Sequence, residues 1–151
     1  MNPNETPRKR VIFVCIHNSG RSQMGEGFLR ALAGDRFEVF SAGIESGKLN
    51  PWVVKSMAEV GIDISSHYAK KAQDLIDAGE RFDTVITVCD ETNAERCPMF
   101  PGRGTNANAQ RLHWGFPDPS ALTGTDEERL AGIRPIRDAI RARIEQWLKE
   151  A

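Results

Sequence analysis

The sequence predicts a single α/β domain, a three-layer sandwich whose small four-stranded parallel sheet is flanked by helices. Three observations carry this. Apolar, β-branched runs such as Val11–Cys15 (V-I-F-V-C) alternate with segments whose apolar residues recur at helical spacing. The strongest run is apolar at every position, as strands buried on both faces are and half-exposed strands are not. No repeat, low-complexity tract or linker divides the 151 residues, about the length of one domain with its own core.

Taken in order, residues 1–10 (MNPNETPRKR) are polar and read as a disordered lead, with the domain over residues 11–151. The apolar run behind the lead is too short for a signal peptide or a membrane span. After the first strand, Ser22 to Ala33 puts Met24, Phe28 and Leu32 on one helical face that Gly34 closes. Phe37 to Ser41 is the second strand. Asn50 caps a helix that Pro51 opens, with Val53, Met57 and Val60 as its stripe before Gly61. Lys71 to Ala78 is a weaker helix, Phe82 to Cys89 the third strand, and Arg111 to Trp114 a short fourth. Thr125 to Glu128 forms a capping box, after which Gly132 and Pro135 predict a break, with Pro135 in the first turn of a final helix. Ile133, Ile136, Ile140, Ile144 and Trp147 line that helix's buried side. Arg134, Arg137, Arg141 and Arg143, interleaved with Asp138 and Glu145, form its solvated face.

Lys and Arg total 20 against 21 for Asp and Glu, a formal net charge of −1. That balance argues against a chain that coats nucleic acid or anionic lipid, because both need a cationic excess. The three cysteines are an odd number, which no fully paired secreted framework has. A cytoplasmic chain without a membrane partner is expected.

The two apolar strands V-I-F-V-C and V-I-T-V-C each end in a cysteine, Cys15 and Cys89. In a parallel sheet both lie on one rim, and if the strands are neighbours, their spacing of about 4.8 Å brings the thiols near disulfide range. Ligands of such sheets bind at that rim. After Cys15 comes a polar turn, Ile16-His17-Asn18-Ser19-Gly20-Arg21-Ser22, and then a helix. Backbone N–H groups and the helix dipole make this turn a cradle for a tetrahedral oxyanion such as phosphate or sulfate. Arg21 adds a planar fork that holds two oxygens, and the same positive field favours the Cys15 thiolate. Ser22 can hydrogen-bond the sulfur, Asn18 can tie the loop to itself, and His17 is expected to face solvent. There is no G-K-[ST], so this is not a nucleotide P-loop. A zinc site from Cys15, His17, Cys89 and Cys97 is the alternative from another class, but the spacing is not that of a short zinc motif and Arg21 opposes a cation.

C-x5-R-S opening a helix, with Asp118-Pro119 late in the chain, resembles the low-molecular-weight tyrosine phosphatases. The chain more closely resembles their arsenate reductase branch. It carries N-S-x-R-S-Q-M-x-E-G at Asn18 to Gly27, S-A-G-I-E at Ser41 to Glu45 and G-I-D-I-S at Gly61 to Ser65. V-C-x7-C-P follows at Val88 to Pro98 and H-W-G-F-x-D-P at His113 to Pro119.

The resemblance implies that Cys15 is the nucleophile and Asp118 the general acid. It also implies that Cys89 and Cys97 form a resolving pair which thioredoxin, or else glutaredoxin or a low-molecular-weight thiol, reduces. No tightly bound cofactor and a monomer are expected. The polar stretch Asp90 to Arg96 is expected to rearrange so that Cys97 reaches Cys89. Phosphatase action through a Cys15 phosphocysteine is the alternative, but neither Glu45 to Asn50 nor the S-A-L after Pro119 offers an aromatic wall for an aryl phosphate. Three departures stand out: Gly20 where some relatives carry another cysteine, Ile16-His17 in the loop, and a Cys89–Cys97 spacing one residue longer than usual. No metal ion is expected. Of a monovalent-cation site found in some members, Asn18, Glu26 and Ser41 match, while Lys70 takes the place of an aspartate, so its ammonium is expected to replace the ion.

Overall fold

The computed structural model describes residues 8–45 and 47–150. Its elements are β1 (Lys9–Cys15), α1 (Arg21–Ala33), β2 (Phe37–Gly43), α2 (Pro51–Glu59), α3 (Ala72–Asp77), β3 (Thr84–Thr87), α4 (Glu91–Ala94), β4 (Gln110–His113), a 3-10 turn (Pro119–Ala121) and α5 (Asp126–Glu150). The four strands form one parallel sheet in the order β2-β1-β3-β4, so the expected four-stranded α/β architecture holds. Of the expected lead, residues 1–7 lie outside the described residues, while Lys9 and Arg10 belong to β1 and pair with Phe37 and Glu38. Arg10 is polar yet sits in the strand because its backbone N–H reaches Asp83 and its guanidinium reaches Glu38, Glu80 and the Arg81 carbonyl.

Alternation along β1 divides the core in two. Val11, Phe13 and Cys15 face one side with Met24, Phe28 and Leu29 of α1, Val53 and Met57 of α2, and the isoleucines of α5. Ile12 and Val14 face the other side with Ala72 of α3, Phe82, Val85, Cys97 and Phe100. Helices cover both faces, which completes the three layers. On α1 it is Leu29, not Leu32, that joins Met24 and Phe28 in the core; Leu32 is exposed.

Two expectations about the second half are corrected. The third strand is Thr84–Thr87 rather than Phe82 to Cys89, because the Phe82 N–H turns to the Pro101 carbonyl and the chain leaves the ladder before Cys89. There is also no break near Gly132 and Pro135: α5 runs unbroken through both. A proline inside a helix costs about 3 kcal/mol, chiefly one hydrogen bond and a clash. Here the buried row Ile133, Ile136, Ile140 and Ile144 spans the site and holds the helix together. Gly132 marks a close approach, since a Cβ there would lie 2.8 Å from Leu122 Cδ1. The capping box forms as expected, with the Glu128 N–H donating to Thr125 Oγ1 at 3.1 Å.

The arginines of α5 are not all solvated. Arg137 is buried, donates to the Ser56 carbonyl at 3.0 Å and pairs with Glu59 at 2.8 Å. Arg143 stacks over Trp114 at 4.5 Å. They tie α5 to α2 and to the aromatic cluster Phe13, Trp114, Trp147 and Phe37.

Candidate active site

β1 ends at Cys15 and α1 begins at Arg21, so Ile16 to Gly20 form the connecting loop on the carboxyl rim of the sheet. The backbone of Cys15 and Ile16 is pinned by the two residues that follow β2: the N–H groups of Ile44 and Glu45 donate to their carbonyls at 3.0 and 2.8 Å. Asn50, which caps α2, donates its N–H to the Ser19 carbonyl at 2.9 Å. The loop folds tightly against its neighbours. A Cβ on Gly43 would lie 2.7 Å from the Asn18 nitrogen, and one on Gly20 would lie 2.8 Å from Pro119.

Asn18 is fully buried with φ 54°, in the left-handed region that asparagine tolerates better than most residues. Its amide orientation is fixed by a backbone donor: the Lys70 N–H reaches Asn18 Oδ1 at 2.9 Å. Nδ2 must therefore point the other way, and it donates to Ser22 Oγ at 2.7 Å. Since Ser22 accepts from Asn18, its own hydroxyl hydrogen is left for Cys15 Sγ, 2.8 Å away. The Cys15 sulfur is thus held by a hydroxyl whose own position Asn18 fixes.

Gln23 closes the network. Its Nε2 donates to Asn18 O, Asn18 Oδ1 and the Tyr68 carbonyl at 3.1, 3.0 and 3.0 Å, so its Oε1 accepts from His67 Nδ1 at 2.9 Å. Sequence reasoning missed Gln23, although a glutamine on the inner face of an apolar helix directly after Ser22 was the available signal.

Arg21 is buried, donates to the Phe116 carbonyl at 3.0 Å, and has its second terminal nitrogen 3.8 Å from Asp118 Oδ2. Asp118 itself caps the 3-10 turn, with Oδ1 accepting from the backbone and hydroxyl of Ser120 at 2.9 and 2.7 Å. One carboxylate oxygen is thus tied down while the other faces the guanidinium beside the loop. His17 faces outward, as expected, with Nε2 3.0 Å from Glu45 Oε2. Glu45 also receives Arg96 at 2.6 Å, and that hydrogen bond holds its carboxyl below the ordinary range.

Cys89 is fully buried in the same half of the core as Cys15, just past β3, the strand next to β1. Burial raises its thiol above the ordinary value; the nearby Arg21 charge opposes this and the nearby Cys15 adds to it. Cys97 is buried in the opposite half of the core, where burial pushes its thiol up to about 11. The structure therefore brings Cys15, Arg21 and Cys89 together, while Cys97, near enough for Cys89 to raise its thiol further, packs in the other core cluster. That difference in packing, with His17 turned to Glu45, also removes the geometric basis of the zinc alternative. Among the described residues no three His, Cys, Asp or Glu side chains converge as metal ligands.

Behind the loop, Glu26 is buried and accepts from Ser41 Oγ at 2.6 Å. Arg30, His67 and Lys70 approach its carboxylate at 2.8, 3.6 and 4.0 Å. The Lys70 ammonium points inward and also donates to the Tyr68 carbonyl at 2.9 Å; burial lowers its affinity for the proton, and Glu26 opposes that. Asn18, Glu26, Ser41 and Lys70 thus form one cluster.

Residues 10–151 match the low molecular weight phosphotyrosine protein phosphatase family. The arsenate reductase of Bacillus subtilis (strain 168) is 43% identical over 141 residues, covering 92% of this chain and 94% of that protein. An arsenate reductase solved in its phosphate-binding state superposes with TM-score 0.71 at 30% identity, over 94% of this chain and 98% of that one. A thioredoxin-dependent arsenate reductase of Corynebacterium glutamicum gives TM-score 0.63 at 29% identity, over 97% of this chain and 65% of that one. With its parallel sheet, its loop from Cys15 to Ser22 and these relatives, the chain belongs to the low molecular weight phosphotyrosine protein phosphatase family.

Proposed function

We propose that this protein reduces arsenate to arsenite through a three-cysteine relay. The observation that carries the reading is the convergence of Cys15, Arg21 and Cys89 on one rim, a second thiol exactly where a hydrolase needs none but a reductase needs an electron source. Arsenate sits in the loop from Cys15 to Ser22, held by backbone N–H groups and Arg21. Cys15 attacks arsenic, and Asp118 protonates the oxygen that leaves as water. Cys89 attacks Cys15 Sγ: an S–S bond forms, the S–As bond breaks, and its electron pair reduces As(V) to As(III), which departs as arsenite. Cys97 then attacks Cys89 and frees Cys15 as a thiolate, and a dithiol protein of the thioredoxin type reduces the Cys89–Cys97 bond. The similar thioredoxin-dependent enzyme supports that choice of donor.

Phosphate-monoester hydrolysis is the second reading, favoured by the family and by the shared set Cys15, Arg21 and Asp118. Two assays separate them, one following NADPH oxidation with arsenate, thioredoxin and thioredoxin reductase, the other aryl phosphate hydrolysis. Multiple-turnover reduction that is lost in Cys89→Ser and Cys97→Ser while any hydrolysis survives fits the relay. Brisk hydrolysis with no arsenate turnover, from either thioredoxin or glutaredoxin, fits the phosphatase.

We also propose that the Lys70 ammonium, 4.0 Å from Glu26, does the work of a bound monovalent cation in bracing the loop. Turnover then changes less than about twofold when potassium replaces a bulky organic cation. A strong potassium activation contradicts this.

A further inference from the structure

Cys97 packs with Ile12, Val14, Phe82 and Phe100 rather than with the cluster that holds Cys89, so it has to leave that packing before it can attack Cys89, and whatever holds its turn in place governs that step. Besides that packing, Arg111 on β4 reaches the backbone of the turn. Its Nη2 donates to the Ala94 carbonyl at 2.6 Å and to the Cys97 carbonyl at 3.1 Å, and its Nη1 lies 3.6 Å from Met99 Sδ. Ala94 ends α4, and the Cys97 N–H also donates to its carbonyl at 3.1 Å. One guanidinium nitrogen thereby closes the turn that carries the thiol. On the far side of the segment, Arg96 is tied to Glu45 and to Asn93. Arg111 reaches the backbone on either side of Cys97, and Arg96 only exposed side chains.

We propose that Arg111 is a positioning residue for the relay: by bridging the carbonyls of Ala94 and Cys97 it latches Cys97 away from Cys89 until the Cys15–Cys89 bond has formed. The inference rests on the relay proposed above. Asp90, which follows Cys89 directly, accepts from Asn93 through both carboxylate oxygens and so anchors α4. Movement of Cys89 towards Cys15 therefore pulls on the same turn that Arg111 closes. Once free, Cys97 loses its proton to water and its thiolate attacks Cys89 Sγ. The Cys89–Cys97 bond forms, the Cys15–Cys89 bond breaks, and Cys15 leaves with the electron pair. Latched, Cys97 stays a buried thiol, which burial keeps protonated and the Arg111 charge opposes. The latch guards the third thiol against oxidation before its turn.

The test measures alkylation by iodoacetamide from pH 7 to 10. Chains in which Cys97 is the sole thiol (Cys15→Ser, Cys89→Ser) carry Arg111, Arg111→Ala or Arg111→Lys. Arg111→Ala is expected to speed Cys97 labelling about tenfold or more and to move its pH profile down, as a thiol released from a buried site does. Arg111→Lys is expected to stay within about threefold of the parent, because a single ammonium can donate to both carbonyls. In chains where Cys89 is the sole thiol, Arg111→Ala should change labelling less than about twofold. An unchanged Cys97 rate in Arg111→Ala overturns the latch, and so does a parallel rise at Cys89, which would mean general loosening. Arsenate is absent from this measurement, so a wild-type chain that releases no arsenite defeats the relay reading separately.

Discussion

The loop carrying Cys15 and the segment carrying Cys97 both lie beyond the carboxyl ends of the same sheet, but they are secured differently. The loop is held through its own buried side chains: Asn18 to Ser22, Ser22 to Cys15, and Gln23 back to Asn18. The segment is held from outside, by Arg111 through backbone carbonyls and by the exposed pair Arg96–Glu45. A buried, internally satisfied network keeps one geometry, because each unmade bond leaves a desolvated polar group. A clamp made at the surface is weaker and reversible. The first arrangement suits the fixed nucleophile that the proposed relay needs, and the second suits the thiol that the proposed relay moves.

The largest expected effect comes from the fixed region. Arg21→Lys replaces a planar fork with a point charge and should lower arsenate kcat/KM by about a hundredfold or more. A loss under tenfold would mean that backbone N–H groups alone hold the oxyanion. Asn18→Ala strands the Lys70 N–H and forces alanine into the left-handed region, so urea unfolding should show a loss of about 2–3 kcal/mol. Truncations on the travelling segment should be milder.

Cys97 gives that contrast a pH signature. Its folded thiol is raised to about 11, so the unfolded chain ionises first as pH rises. The contribution to stability is therefore complete below about pH 9 and is lost towards pH 11, a fall of about 3 kcal/mol that Cys97→Ala should remove from the alkaline stability profile. The smallest effect belongs to the surface pair. Glu45→Gln should change arsenate turnover less than about threefold and leave the urea-unfolding midpoint unchanged. A large loss there would show that the outer clamp is part of the fixed region after all.

The same contrast explains what could be read from the sequence. Cys15, Asn18, Arg21 and Ser22 are consecutive or nearly so, and a strand-turn-helix unit brings them together whatever the rest of the fold does. Cys89 was legible for a similar reason, since a parallel sheet places the ends of neighbouring strands on one rim. The clamps on Cys97 were not, because Arg111 and Glu45 reach it from separate elements and no local pattern marks them. Gln23 lay inside a recognised motif, yet its bonds to Tyr68 and His67 depend on a loop far along the chain. Pro135 misled for the converse reason: its local rule predicts a break, and burial of four isoleucines on the same helix overrides it.

The proposed relay makes Cys89 the electron source for an oxyanion bound at Cys15. It is tested most directly by mixing Cys97→Ser with arsenate, without any reductant, and counting arsenite while mapping disulfides by mass. One arsenite per chain and a trapped Cys15–Cys89 bond are expected. No arsenite, or arsenite released while Cys89 remains a free thiol, would contradict it.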